Sequence, residues 1–276
     1  MTNEEKARRF REMHHGPAIL VLPNAWDVVS ARIFEAAGFP AIATTSAGIA
    51  NSLGYPDGER IPREEMLAVV SRIARAVSVP VTADVEAGYG DAVATAQAVA
   101  ETGAIGMNLE DVRSEDGATL VELPEQCAVL GRIRRLGLPL VINARTDVFL
   151  ANIGDPATRL ARTVERLNAY LEAGADSLFA PGVRDRETIA ALARDVRGPL
   201  NILATPGVPP LAELQAMGVA RVSTGSGVAR AVAGLTRRIA VELREDGSYQ
   251  SLFADPIPYA EVNEMMHYTP KSPGRT

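Results

Sequence analysis

A (β/α)8 barrel of the TIM type is the fold class this sequence predicts, and three observations predict it. Short apolar, β-favouring runs alternate with longer stretches of helical periodicity along most of the 276 residues. Eight such strand–helix units can be counted. Helical stretches repeatedly end in a glycine just ahead of the next strand, as in Ala37-Gly-Phe-Pro-Ala-Ile, Thr102-Gly-Ala-Ile-Gly, Ala173-Gly-Ala-Asp-Ser-Leu and Met217-Gly-Val-Ala-Arg-Val. Regular alternation calls for a parallel sheet with helical crossovers, and eight units close a barrel more readily than they build an open sheet. A dinucleotide-binding sheet would need its glycine-rich fingerprint, and Gly88-Tyr-Gly90 is not that fingerprint.

The elements follow in order. Residues 2–15 read as a short charged helix. Strands are expected at 18–22, 41–45, 79–84, 105–110, 138–145, 177–180, 200–204 and 221–224. Helices are expected at 27–37, 62–77, 91–102, 125–136, 156–173, 185–195, 209–217 and 226–245, with Asp27 placed to cap the first of these. Gly38, Gly103, Gly137, Gly174 and Gly218 mark helix stops. The barrel domain is thus expected to span 1–246. Beyond it, Pro256, Pro258, Pro270 and Pro273 break up a C-terminal extension, 247–276, with a short helix at 259–267 and a disordered end. Eight units are complete before it starts, so it is expected to cover the barrel bottom or reach a neighbouring subunit.

Composition narrows the function. The chain is 47% hydrophobic and 22% charged, with a net charge of −6 and no basic patch, which argues against nucleic acid and anionic membrane as partners. The lone cysteine, Cys127, excludes an internal disulfide and fits a reducing cytoplasm. Cys127 falls in a helix and reads as packing rather than as a nucleophile. The polar start, Met-Thr-Asn-Glu-Glu-Lys, lacks a signal-peptide core, and no run approaches the length of a membrane span. His14, His15 and His267 lie near the termini and read as solvated surface residues. Trp26 reads as core or as a cap on the first helix.

Barrel active sites gather at the C-terminal ends of the strands. Strand three ends in Asp84-Val-Glu86, strand four in Asn108-Leu-Glu110-Asp111, and strand five in Asn143-Ala-Arg145-Thr-Asp147. Strand alternation points Asp84 and Glu86 the same way, and likewise Asn108 with Glu110 and Asn143 with Arg145. Three carboxylates and one guanidinium then converge with negative charge in excess. A divalent cation, Mg2+ or Mn2+, would neutralise it. Direct ligation by Asp84, with Glu86 and Glu110 holding metal waters, leaves positions for a chelating 2-oxo acid that Arg145 could clamp. The alternative is that Arg145 simply pairs with Glu110 inside the barrel.

Taken together, Ser46-Ala-Gly, the loop Leu53-Gly-Tyr-Pro-Asp57, Asp84-Val-Glu-Ala-Gly-Tyr-Gly90, Leu109-Glu-Asp111 and Ala144-Arg-Thr-Asp147 resemble the isocitrate lyase/phosphoenolpyruvate mutase superfamily over roughly residues 17–245. The resemblance implies an Mg2+-dependent barrel enzyme, usually a tetramer with the eighth helix exchanged between subunits. Such an enzyme acts on 2-oxo or 2-hydroxy carboxylates through a metal-stabilised enolate. By position it implies Asp84 as direct metal ligand and Glu86 and Glu110 as ligands mainly through water. It implies Arg145 as the substrate-binding, enolate-stabilising arginine, Asp57 beside the reacting group, and Ser46, Ala47 and Gly48 as the carboxylate-binding loop. Thr44 and Thr45 lead into that loop, and Thr44 stands where the family often has an aromatic residue against the substrate.

Two departures bear on the reaction. Carbon–carbon lyases of this superfamily carry a Lys-Lys-Cys-Gly-His or Lys-Arg-Cys-Gly-His stretch after strand four, whose cysteine moves a proton. Here residues 111–125 contain no Cys, His or Lys. The end of strand six, often Glu or His, reads Ala180-Pro-Gly. The expected function is a lyase of this superfamily. The alternatives are an oxaloacetate decarboxylase or a hydrolase of a C–C or C–P bond, and a non-catalytic 2-oxo acid binding protein.

Overall fold

The computed structural model describes residues 1–113 and 119–267. The sequence of its elements begins with helix α1 (Asn3–Met13), whose N-cap Thr2 and third residue Glu5 exchange side-chain bonds in a capping box. The first barrel stave is broken by Pro23 into β1 (Leu20–Leu22) and β2 (Asn24–Ala25). Proline has no N–H to give the ladder, but its carbonyl still accepts from Ala43 at 2.9 Å. Then come α2 (Val28–Ala36), capped by Asp27 as expected, and β3 (Ile42–Thr44). A short helix α3 (Ser46–Ser52) follows where the sequence reading has only loop, then α4 (Arg63–Ala76) and β4 (Val81–Asp84).

The second half continues with α5 (Ala92–Thr102), β5 (Gly106–Leu109) and a small antiparallel pair, β6 (Val112–Arg113) and β7 (Thr119–Leu120). After these run α6 (Leu123–Arg135), β8 (Val141–Arg145), α7 (Arg159–Glu172), β9 (Ser177–Phe179), α8 (Arg186–Asp195) and β10 (Leu200–Leu203). The last stave, β11 (Arg221–Ser223), is preceded by α9 (Leu211–Ala216) and followed by α10 (Gly227–Val241). One π-helical turn and a 3-10 turn lead to α11 (Tyr259–Met266), close to the expected 259–267 helix. The expected disordered end falls on 268–276, outside the described residues.

The nine parallel segments order as β1-β11-β10-β9-β8-β5-β4-β3-β2. With β1 and β2 read as one broken stave, this is the expected eight-stave barrel. All five anticipated helix-stop glycines have positive φ, from 66° at Gly137 to 107° at Gly174.

The barrel floor is closed by α1. Its Ala7 and Phe10 are buried with Leu20, Leu22, Ala41, Ala43, Ile105 and Val141. His14 belongs to this plug, which corrects its reading as a solvated residue. It is 4% exposed, sits edge-on to Phe10, and its Nδ1 lies 2.8 Å from the Phe10 carbonyl. Burial, with the Arg221 guanidinium nearby, pushes its pKa down to about 3. The imidazole is therefore neutral at ordinary pH, and its Nδ1–H donates to Phe10. The apolar face of α1 wins over the residue's terminal position because the barrel bottom must be stoppered.

Between the strands and the outer helices lies the main core, which includes Leu109, Leu130, Ile142, Leu167 and Leu178, with Trp26 half-buried against it. Asp111 is fully buried beneath the β5 end. It is held by Arg166 Nε at 2.7 Å and Tyr170 Oη at 2.6 Å, while its other oxygen accepts the Asp147 N–H at 3.0 Å. Arg166 also donates to the Val121 carbonyl at 2.6 Å, tying α7 to the segment after β7. A charge pair this deep holds its neighbours in one arrangement, because losing either partner leaves a bare buried charge.

Candidate active site

The site is built on a polar ring across four adjacent staves. Asp84, Asn108, Asn143 and Ser177 stand level in register, Asp84 opposite Asn108, Asn108 opposite Asn143, and Asn143 opposite Ser177. Ser177 Oγ donates to Asn143 Oδ1 at 2.7 Å, and Asn143 Nδ2 donates to Asn108 Oδ1 at 2.8 Å. Asn108 Nδ2 reaches Asp84 Oδ1 at 3.5 Å, at the long limit of a hydrogen bond. The other Asp84 oxygen accepts from Ser46 N at 3.1 Å and Ser46 Oγ at 2.9 Å. Asp84 is thereby held from both sides at the top of its strand.

Glu86 reaches the same place by a different route from the one expected. β4 ends at Asp84, and Glu86 has φ 50°, in the left-handed region. Strand alternation therefore does not aim it; a turn does. That turn is locked to the loop after α3. Glu59 N donates to Glu86 Oε2 at 2.8 Å, Tyr89 Oη donates to Glu86 Oε1 at 3.2 Å, and Tyr89 N donates to Glu59 Oε1 at 2.5 Å. Glu59 and Tyr89 are also left-handed, so three strained residues brace one another. Gly88 permits the turn, since a Cβ there would lie 2.5 Å from that of Ala92.

Glu110 follows β5 directly and meets Arg145 Nη1 at 2.8 Å. The pairing left open in the sequence reading is thus present, with a second acid added. Arg145 grips Asp147 with Nε at 2.6 Å and Nη2 at 2.8 Å, and lies over the Phe179 ring at 5.8 Å. Asp57 sits exposed on the rim.

These acids crowd one another. Burial, with Asp57 and Asp84 nearby, pushes Glu86 up to about 7. Glu110 is raised well above its usual range by burial, against the pull of Arg145. Asp147 is raised by burial, with Arg145 opposing. Asp57 is raised by partial desolvation and by Asp84. Five carboxylates face one guanidinium at the mouth. Arg221, fully buried below, donates to Asn108 Oδ1 at 3.4 Å, and burial lowers its pKa to about 9, which leaves it charged at neutral pH.

The structure brings Asp57, Asp84, Glu86, Glu110, Arg145 and Ser46 together. It gives the two threonines work inside the protein. Thr44 is fully buried and its Oγ1 accepts the Asp84 N–H at 3.0 Å; Thr45 is the N-cap of α3 and accepts from Gly48 N at 3.3 Å. Ala47 and Gly48 form the first turn of α3, and a Cβ on Gly48 would strike Thr45 Cγ2 at 2.6 Å. Cys127 is half-buried in α6, and burial raises its thiol, as a packing role requires. The sequence reading names Asp147 and Tyr89 only inside motifs, with no role of their own, and gives Arg221 and Glu59 no place in the site. Asp147 was within reach of the same alternation that found Arg145, two residues before it.

A cleft of about 640 Å3 opens from Glu86 and Glu110. Among the described residues no three His, Cys, Asp or Glu side chains form a group that could hold a metal ion directly. The donors the mouth does offer, Asp84, Glu86 and Glu110, are all carboxylate oxygens. That suits Mg2+, which takes oxygen donors and dehydrates reluctantly.

A family profile described as phosphoenolpyruvate phosphomutase matches residues 10–244. A 2-methylisocitrate lyase of Halalkalibacterium halodurans is 29% identical over 280 residues, covering 97% of this chain and 91% of its own. An oxaloacetate decarboxylase of Pseudomonas fluorescens is 30% identical over 224 residues, covering 77% of this chain and 74% of its own. A crystal structure from Burkholderia cenocepacia, described as a lyase/mutase, superposes with a TM-score of 0.88 at 36% identity over 96% of this chain and 97% of the other.

The charge crowding has a measurable consequence in metal-free protein. Glu86 binds its proton more tightly folded than unfolded. Its contribution to stability is therefore full below the usual 4.5 and is lost as pH rises through about 7. Glu86→Gln removes that loss. At pH 8, without metal, urea unfolding should find E86Q more stable than the parent by about 1–3 kcal/mol, with the difference vanishing near pH 4. An E86Q chain less stable at pH 8 would contradict the crowding.

Proposed function

The chain belongs to the phosphoenolpyruvate phosphomutase family, and from that premise we propose that it is a Mg2+-dependent carbon–carbon lyase acting on a small 2-oxo or 2-hydroxy carboxylate. The observation that carries the reading is the surplus of carboxylate over guanidinium at the barrel mouth. Mn2+ would serve the same donors. Asp84, held from both sides by Ser46 and Asn108, would be the direct ligand. Glu86 and Glu110 would hold the ion through water. Bound there, the ion supplies a chelation point for the substrate's carboxylate and keto oxygens and Lewis-acid charge beside them.

The chain's own residues do the rest. Arg145, fixed by Glu110 and Asp147, keeps a permanent positive charge where negative charge develops on the substrate oxygen. Ala47 presents its N–H to the substrate carboxylate from the first turn of α3, which Thr45 caps through Gly48 N, while Ser46 and Thr44 hold Asp84 beside it. Asp57 stands on the rim beside the reacting group.

A second reading, decarboxylation of oxaloacetate, is favoured by the stretch after β5. Residues 111–125 hold no Cys, His or Lys to protonate a departing organic fragment, whereas CO2 leaves without a proton and the pyruvate enolate left behind can take its proton from water. The oxaloacetate decarboxylase relative fits that reading. Hydrolysis of a C–C or C–P bond is a further variant on the same site.

The assembly we propose is a cytoplasmic homotetramer of single barrel domains, 1–246, in which α10 is exchanged with a neighbour and the 247–276 extension follows it. None of the residues of α10 is buried, and Val232, Leu235 and Val241 are exposed along it. Leu243, Tyr249, Phe253 and Tyr259 extend that apolar surface. Among the described residues no helix is long and apolar enough to cross a membrane. Sedimentation should show an oligomer that the double substitution Val232→Arg, Leu235→Arg dissociates; a monomeric parent would contradict the exchange.

Activity is tested on oxaloacetate, isocitrate, 2-methylisocitrate and citramalate-type acids, with Mg2+ and with EDTA. Turnover of at least one is expected, abolished by EDTA, restored by Mg2+, and lowered about 100-fold or more in Asp84→Asn. Pyruvate with CO2 marks decarboxylation; pyruvate with a second organic acid marks C–C cleavage. Turnover that ignores EDTA would overturn the reading, and metal-dependent binding without turnover of any acid would make the chain a binding protein.

A further inference from the structure

The cleft beyond the carboxylate cluster is far larger than a three-carbon acid. Its volume is about 640 Å3, and it runs outward from Glu86 and Glu110, along the turn after β4 and the face of α6. Its walls are small and apolar, formed by Ala87, Ala92, Val112, Val121 and Val129. Two cations line it, Arg60 and Arg113. Arg113 is already paired with Glu125. Arg60 is exposed and has no hydrogen-bond or ion-pair partner among the described residues.

An acidic inner end, an apolar passage and an unpaired guanidinium are complementary to one kind of molecule. Its head is a 2-oxo carboxylate, its middle a short hydrocarbon spacer, and its tail a second carboxylate. We infer that Arg60 is the specificity-determining residue of this site, binding the second carboxylate of a dicarboxylic 2-oxo acid. The inference rests on the metal-dependent 2-oxo acid reading above and adds to it the residue that selects for a second carboxylate.

Among the described residues lining the cleft, Arg60 is the cation with no acidic partner. Glu59, Glu86 and Glu110 line its inner part, and Glu125 neutralises the other arginine. A tail carboxylate against the acids or the apolar wall would lose its water without a charge partner, and the Gln126 amide already donates to the Glu110 carbonyl. At Arg60 it meets a planar donor fork suited to two parallel hydrogen bonds. Solvent exposure limits the effect, so the pair should be worth about fivefold to tenfold in affinity rather than hundreds.

Calorimetric titrations in excess Mg2+ separate the two claims. Oxalate has the chelating head and no tail, and 2-oxoglutarate has both. Arg60→Gln should leave oxalate affinity within about twofold of the parent and weaken 2-oxoglutarate about fivefold to tenfold, with Arg60→Lys recovering part of the loss. The exposed position keeps folding out of the comparison, and an unchanged melting temperature verifies it. If the parent binds oxalate but R60Q leaves 2-oxoglutarate untouched, or weakens both acids equally, the assignment of Arg60 is overturned and the metal site stands. If the parent binds neither acid in Mg2+, both are overturned.

Discussion

Arg145 lies among more acid than it can neutralise, and the top of the barrel is organised around that imbalance. Its guanidinium is divided between Glu110 and Asp147, which leaves Asp57, Asp84 and Glu86 to repel one another across a half-closed mouth. Burial together with these neighbouring charges raises the proton affinities of Glu86 and Asp57. Burial alone would not cluster acids in this way. A protein with no use for the charge would be better served by neutral side chains in the same positions. Under the proposed function these hard oxygen donors, the fixed guanidinium beside them and the adjoining cleft would form part of a coordination sphere that water or ligand completes.

The fold supports this from below and from the side. Below, a level ring of Asn108, Asn143 and Ser177 connects Asp84 to three further staves, so the carboxylate cannot turn without disturbing the barrel interior. Arg221 adds a buried positive charge under the ring, and α1 closes the floor beneath it with Phe10 and His14. At the side, Glu59, Glu86 and Tyr89 adopt left-handed backbone at a cost of order 1–3 kcal/mol each, and their mutual hydrogen bonds hold them there. Strain concentrated at three residues around one carboxylate is the pattern expected where position matters more than stability.

Much of this was legible in the sequence. The eight staves and the glycine stops follow from periodicity and backbone chemistry, and Asp84, Glu110 and Arg145 follow from strand ends in a barrel. The misses have physical causes. Pro23 divides a stave that reads as one run, since only the missing N–H reveals the break. α3 is short and built from Ser, Ala, Gly and Asn around a single Ile49, so helical periodicity has too few residues in which to show, and its only marker is the Thr45 cap. Glu86 was placed on the right side of the barrel for the wrong reason, because a two-residue spacing cannot distinguish a strand from a left-handed turn. His14 looks solvated by its place in the chain, and its burial depends on a floor that only the closed barrel defines. The tie between Glu59, Glu86 and Tyr89 joins residues from separate loops, and no local pattern announces it.

The central claim is that this mouth holds one divalent ion through few protein oxygens and several exchangeable waters. Titrating metal-free protein with Mn2+ and following water-proton relaxation tests it directly. The account predicts a single saturable site per chain with strongly enhanced relaxation, which falls when oxalate displaces the waters. A response that never saturates, or a bound ion that relaxes no water and ignores oxalate, would contradict it.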